Sequence, residues 1–138
     1  MKINTVTGDV SVCGTVVLSN LTLAAALQDA VFKTANRIDR PGGYTRLAVE
    51  RQCNDSKYIV WMFFVVNRLS WISIYVDDRH RRGDWSDWSE VEERRMLAGL
   101  VQILEQQGIS NGQRYSWGDV LASYDQRAGV ANITVRYR

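Results

Sequence analysis

The stretch from Tyr58 to Val76, YIVWMFFVVNRLSWISIYV, decides the fold. Its length and apolar content would let it cross a bilayer as a helix. Asn67 and Arg68 stand at its centre, however, and a charge at that depth is costly in lipid. Ser70 and Ser73 follow. A β-hairpin accommodates all four residues, with strands over 58–66 and 69–76 and Asn67-Arg68 as the turn. In the second arm Ile72, Ile74 and Val76 face one way, while Trp71, Ser73 and Tyr75 face the other. The first arm is apolar on both faces, so we expect it to be central and covered on both sides.

Working outward, 44–52 alternates Leu47 and Val49 with Arg46, Ala48 and Glu50, which suggests a half-exposed strand. The loop Cys53–Lys57 is short enough for an antiparallel hairpin. Asp39-Arg40-Pro41-Gly42-Gly43 breaks the pattern upstream with the chain's one proline and two adjacent glycines. Before it, LTLAAALQDAVFKTANR reads as a helix, with Thr22 as N-cap. Leu23, Ala26, Leu27, Ala30 and Val31 recur at helical spacing, and the helix should reach Ala35 or Asn36. Residues 3–18 read as two short strands punctuated by Gly8-Asp9 and Gly14.

Downstream, Ser89 and Glu92 have capping-box spacing, with Glu90, Glu92 and Glu93 in the first turn of a second helix. Leu97, Leu100, Val101 and Leu104 form its apolar stripe, and Gln107-Gly108 ends it. The chain closes with a hairpin, arms 115–124 and 130–137 around a turn at 125–129. In its last arm Ala131, Ile133, Val135 and Tyr137 should meet the core, and Asn132, Thr134 and Arg136 should meet water. The order ββ-α-βββ-α-ββ is an α+β pattern: a mostly antiparallel sheet of about seven strands with two helices packed on one face. No linker or repeat divides the chain, so residues 1–138 are read as one domain.

Composition agrees. At 138 residues, 46% hydrophobic and 23% charged, this is the make-up of a globular domain able to bury a core without staples. The formal net charge of +2 excludes a strongly basic nucleic-acid tail and a strongly acidic mimic. The N-terminus lacks an apolar stretch of signal-peptide length, which gives a cytoplasmic expectation. There Cys13 and Cys53, far apart in sequence, would be reduced structural thiols.

Catalytic signatures are scarce. His80 is the one histidine and the two cysteines form no CxxC pair, so no metal site is implied. No nucleophile motif such as GxSxG accompanies His80. Pro41-Gly42-Gly43-Tyr44 lacks the GK[ST] of a phosphate loop and reads as a turn into a strand. The carboxylates at Asp77-Asp78, Asp84 with Asp87, and Glu92-Glu93 are local in sequence and lie beside arginines. Ion pairing and helix capping account for them. No cofactor is implied.

The unusual segment is Arg79-His80-Arg81-Arg82-Gly83-Asp84-Trp85-Ser86-Asp87-Trp88. Lys2, Lys33 and Lys57 are the only lysines, so arginine supplies the rest of the seventeen basic residues. Arginine and tryptophan dominate protein-binding hot spots. They also serve phosphate contact and base stacking, although the low net charge weighs against nucleic acid. A plain alternative has Trp85 and Trp88 packing under the second helix while the arginines are solvated.

Two segments carry a family likeness. One is Gly8-Asp9-Val10-Ser11-Val12-Cys13-Gly14 through Leu18 to Leu21-Thr22-Leu23. The other is Tyr115-Ser116-Trp117-Gly118-Asp119 with Tyr124-Asp125-Gln126-Arg127-Ala128-Gly129-Val130-Ala131-Asn132-Ile133. Together they resemble the small single-domain α+β immunity proteins of bacterial contact-dependent inhibition and related polymorphic toxin systems. The resemblance implies a cytoplasmic, non-enzymatic protein that binds and neutralises one cognate toxin domain. Many such partners are nucleases with acidic inhibitors, and a charge of +2 argues against simple nucleic-acid mimicry. The residues expected to meet the partner are Arg79, His80, Arg81, Arg82 and Trp85, with Arg127 in the last turn.

Two other classes stay open on the sequence. One is a small ligand-binding domain or enzyme with a pocket between sheet and helices, lined by some of Trp61, Trp71 and Trp117. The other is a single-stranded nucleic-acid binder using the same arginines and tryptophans.

Overall fold

The 58–76 stretch folds as the hairpin its centre demands. In the computed structural model, which describes residues 1–78 and 89–138, β6 (Ser56–Val65) pairs antiparallel with β7 (Arg68–Asp78). The turn is Val66-Asn67, one residue earlier than the sequence suggests. Both residues have positive φ, +47° and +67°, the primed-turn conformation that matches strand twist. Asn54-Asp55 turns from β5 (Tyr44–Cys53) into β6 in the same way. Among the described residues, no helix is long and apolar enough to cross a membrane.

The remaining strands are β1 (Lys2–Ile3), β2 (Val10–Val12), β3 (Thr15–Val17), β4 (Asn36–Arg40), β8 (Arg114–Tyr115), β9 (Gly118–Asp125) and β10 (Val130–Tyr137). Seven form one antiparallel sheet in the order β4-β5-β6-β7-β10-β9-β8. β1, β2 and β3 form a separate three-stranded sheet. The α+β class and the helices packed on the sheet are as the sequence implied. Three short strands, β1, β4 and β8, were not legible. β4 is exposed along its whole length, so it has no buried stripe to reveal it.

α1 (Leu23–Gln28) starts where expected, with the Thr22 Oγ1 accepting from the N–H of Ala25. A second cap comes from the hairpin: Asn67 Oδ1 accepts from Ala24 N at 2.9 Å, and the Asn67 carbonyl from Leu23 N. The helix stops well short of Ala35. Asp29 turns extended, and its Oδ1 accepts from Val31 N and Phe32 N, starting a separate 3₁₀ turn over Phe32–Thr34. This local side-chain acceptor outcompetes helix continuation.

α2 (Glu90–Gln106) is as the sequence implied. The Ser89 Oγ accepts from Glu92 N, Leu100 and Leu104 are fully buried, and Gly108 takes φ +75° after Gln107. α2 packs on β9 and β10. The small sheet is tied to the same side by Ile3 N donating to Gln107 Oε1 and by the Tyr137 hydroxyl donating to Gly8 O.

The cysteines correct the sequence reading. Cys13, in the β2–β3 turn, and Cys53, at the end of β5, are joined in a disulfide with Cα atoms 5.6 Å apart. The topology folds the small sheet over the large one and brings together two residues separated by 40 positions.

Candidate functional site

The large sheet has one covered face and one open face. Leu47, Val49, Val60, Met62, Phe64, Leu69, Ile72, Ile74, Val120, Ala122, Ala131, Ile133 and Val135 all project to the covered face and are buried. Their alternates project the other way. The expectation that the first hairpin arm is covered on both sides is therefore overturned: Ile59, Trp61, Phe63 and Val65 of β6 are only half-buried. β6 is central in hydrogen bonding, yet among the described residues no helix or second sheet covers its other face.

Cross-strand register assembles an aromatic surface on the open face. Phe63 lies opposite Trp71, and Trp61 opposite Ser73. Phe63 and Trp71 stack with centroids 4.4 Å apart, and Trp61 and Tyr75 meet at 4.9 Å. Such pairs add stability beyond area burial and stiffen the surface they form. The Arg46 guanidinium from β5 lies 4.4 Å from the Trp61 ring centroid. Ser73 of β7 and Asn132 of β10 project to this same face and are buried, so Asn132 does not meet water as the alternation implied. Burial raises the Tyr75 phenol above its ordinary value, while its hydrogen bond with Asn132 pulls the other way. The phenol stays neutral at physiological pH.

Beside this surface a groove of about 450 Å³ follows the edge of β5. Val31, Thr34, Asn36, Arg46, Arg51 and Trp61 help to line it. β4 pairs with β5 only as far as Asn36 opposite Ala48, which leaves the edge from Val49 onward to the groove.

Of the residues expected to meet a partner, Arg79, His80, Arg81, Arg82 and Trp85 lie outside the described residues, as does Trp88. Arg127 is exposed in the β9–β10 turn, where its N–H donates to Asp125 Oδ1. The register that sets Ile133 opposite Ile74 carries this turn to the sheet end where β7 finishes. Glu93, near the start of α2, reaches the same end by accepting from Ala131 N. The structure thus gathers Arg127 and both flanks of the 79–88 segment at one end of the sheet.

Of the tryptophans expected to line a pocket between sheet and helices, Trp61 lines the groove beside the 3₁₀ turn, and among the described residues Trp71 and Trp117 do not join it. Trp61 and Trp71 are on the open face. Trp117 stacks on Tyr115 at 5.0 Å and donates to Thr5 O, under the small sheet. Among the described residues no group of three or more His, Cys, Asp or Glu could hold a metal ion. The aromatic surface itself escaped the sequence reading. Its signal was present in the period-two alternation of Trp61, Phe63, Trp71 and Tyr75, but apolar content made it look like a second buried face.

No family model matches the chain, and no curated protein matches it. Among solved structures, it matches a chain from "Rhs1-CT in complex with cognate immunity protein RhsI1" with a TM-score of 0.59 and 15% identity. The match covers 99% of this chain and 86% of that one. The likeness is one of fold, and it agrees with the resemblance to polymorphic-toxin immunity proteins carried by the two end segments.

Proposed function

We propose that this chain is an immunity-type protein, which binds and neutralises a cognate toxin domain through protein–protein contact and is not an enzyme. The observation that carries the reading is the fold likeness, along 99% of the chain, to a chain of a toxin–immunity complex. The open aromatic face supports it, because a half-buried cluster of Trp, Phe and Tyr with an adjacent arginine has the composition of binding hot spots.

In this reading Arg79, His80, Arg81, Arg82, Trp85 and Arg127 form part of the contact. Changing Arg81, Arg82 and Trp85 together to alanine weakens partner binding without unfolding the chain. Unchanged affinity removes that segment from the interface, and Arg127 is tested next. The reading places the protein in the cytoplasm of a bacterium. There the Cys13–Cys53 bond would be reduced, since disulfides persist in oxidising compartments. Thiol alkylation in rapidly quenched cells distinguishes the two: two reactive thiols support the cytoplasm, and a protected pair places the chain outside it.

The direct test is co-purification with the toxic C-terminal domain encoded beside its gene. A complex of fixed stoichiometry supports the proposal, and two proteins that elute separately at micromolar concentration refute it.

A further inference from the structure

Arg46 and Arg51 both line the groove at the β5 edge, and each has a buried Nε with no hydrogen-bond partner. They project from opposite faces of β5, and both reach the groove because it wraps the edge that β4 leaves at Asn36–Ala48. Among the described residues neither arginine makes an ion pair. Glu50, the acidic group of the same groove, is engaged by Lys57 at 3.4 Å. Arg46 is held in place by Trp61.

A guanidinium offers donors and no acceptor, and a donor withdrawn from water without a partner is unfavourable. A carboxylate is the acceptor that a guanidinium takes best, and from the groove it reaches Arg46 and Arg51 through their Nη groups, since each Nε is sealed from solvent. We infer that the groove receives a carboxylate-bearing segment of the protein partner, an Asp or Glu seated on Arg46 and Arg51 with an apolar neighbour against Trp61. The inference rests on the proposed function for the existence of that partner and adds where and by what chemistry it docks. A nucleic-acid strand fits less well. Its successive phosphates need a continuous basic track, whereas the groove offers two arginines beside an acidic residue, Glu50, enough for one carboxylate.

Calorimetric titration of the full chain with the purified toxic domain tests this, with thermal melting to confirm that each variant is folded. Arg46→Gln/Arg51→Gln weakens binding by about tenfold or more and lowers its salt dependence. Ala48→Glu keeps both arginines, supplies the groove with a carboxylate of its own, and weakens binding likewise. Arg114→Gln, which removes one exposed charge on β8, leaves affinity unchanged. Wild-type affinity in both groove variants overturns the inference while the immunity reading stands. A wild-type chain that binds no toxic domain refutes the immunity reading, and the inference with it. Single-stranded RNA bound by the wild type and lost in the double variant overturns the choice of a protein carboxylate.

Discussion

Glu93, 1% exposed near the start of α2, accepts a hydrogen bond from the backbone N–H of Ala131 at 3.0 Å. One carboxylate therefore ties the helix to the β10 strand, next to the turn that carries Arg127. Glu93→Ala withdraws the acceptor from a buried N–H and leaves a void. We expect a loss of about 2–3 kcal/mol, seen as a lower urea midpoint. Glu93→Gln keeps an acceptor oxygen and should cost less. Equal midpoints for wild type and the alanine variant would show that this link contributes nothing.

The Cys13–Cys53 bond closes a loop of 40 residues between the small sheet and the β5–β6 turn. Loop-closure entropy gives it a contribution of about 2–4 kcal/mol. Reduction, or Cys13→Ser with Cys53→Ser, should lower the melting temperature by several degrees and leave the seven-stranded sheet folded. A melting curve that is the same with and without reductant contradicts this.

Val66 has φ +47° and is 75% exposed, at the tip of the β6–β7 turn. A β-branched residue is strained in that region, where asparagine is at home. Val66→Asn should stabilise the chain by about 1 kcal/mol, read as a higher urea midpoint. Destabilisation would mean that the valine side chain makes compensating contacts.

Asp9 and Tyr137 set opposite pH limits. The Ser19 backbone N–H, 2.7 Å from Asp9 Oδ1, holds that carboxyl below its ordinary value of 3.8. The resulting stability is present above the unfolded value and is lost as pH falls through the folded one. Burial, with the Asp9 charge second, raises the Tyr137 phenol. That contribution is full below the ordinary tyrosine value of 10.0 and disappears as pH rises above it. Asp9→Asn should flatten the acid limb of a stability–pH profile, and Tyr137→Phe should flatten the alkaline limb. Unaltered limbs would assign them to other groups.

What the sequence disclosed follows burial. Asn67 and Arg68 at the centre of an apolar run forced the hairpin reading, and Ser89 with Glu92 placed the start of α2. Both signals are local. β4 was invisible because Asn36-Arg37-Ile38-Asp39-Arg40 buries nothing, so hydrophobic periodicity has no purchase there. The end of α1 was missed because the Asp29 side chain captures backbone N–H groups that a continuing helix would have used. The disulfide depends on how two sheets are stacked, which no spacing encodes. The aromatic face was misjudged for a different reason: Trp61, Phe63 and Trp71 shelter one another, so apolar alternates do not require a second covering layer. The Arg46–Arg51 groove arises from β4 stopping short of the end of β5, a relation between strand lengths rather than a motif.

The central claim is neutralisation of a toxin, and growth reads it most directly. Cells expressing the toxic C-terminal domain encoded beside this gene are compared with and without co-expression of the full chain. The account predicts that co-expression restores growth, and that Arg46→Gln/Arg51→Gln restores it less well at matched protein levels. Continued growth arrest in the presence of abundant, folded wild-type chain would contradict it.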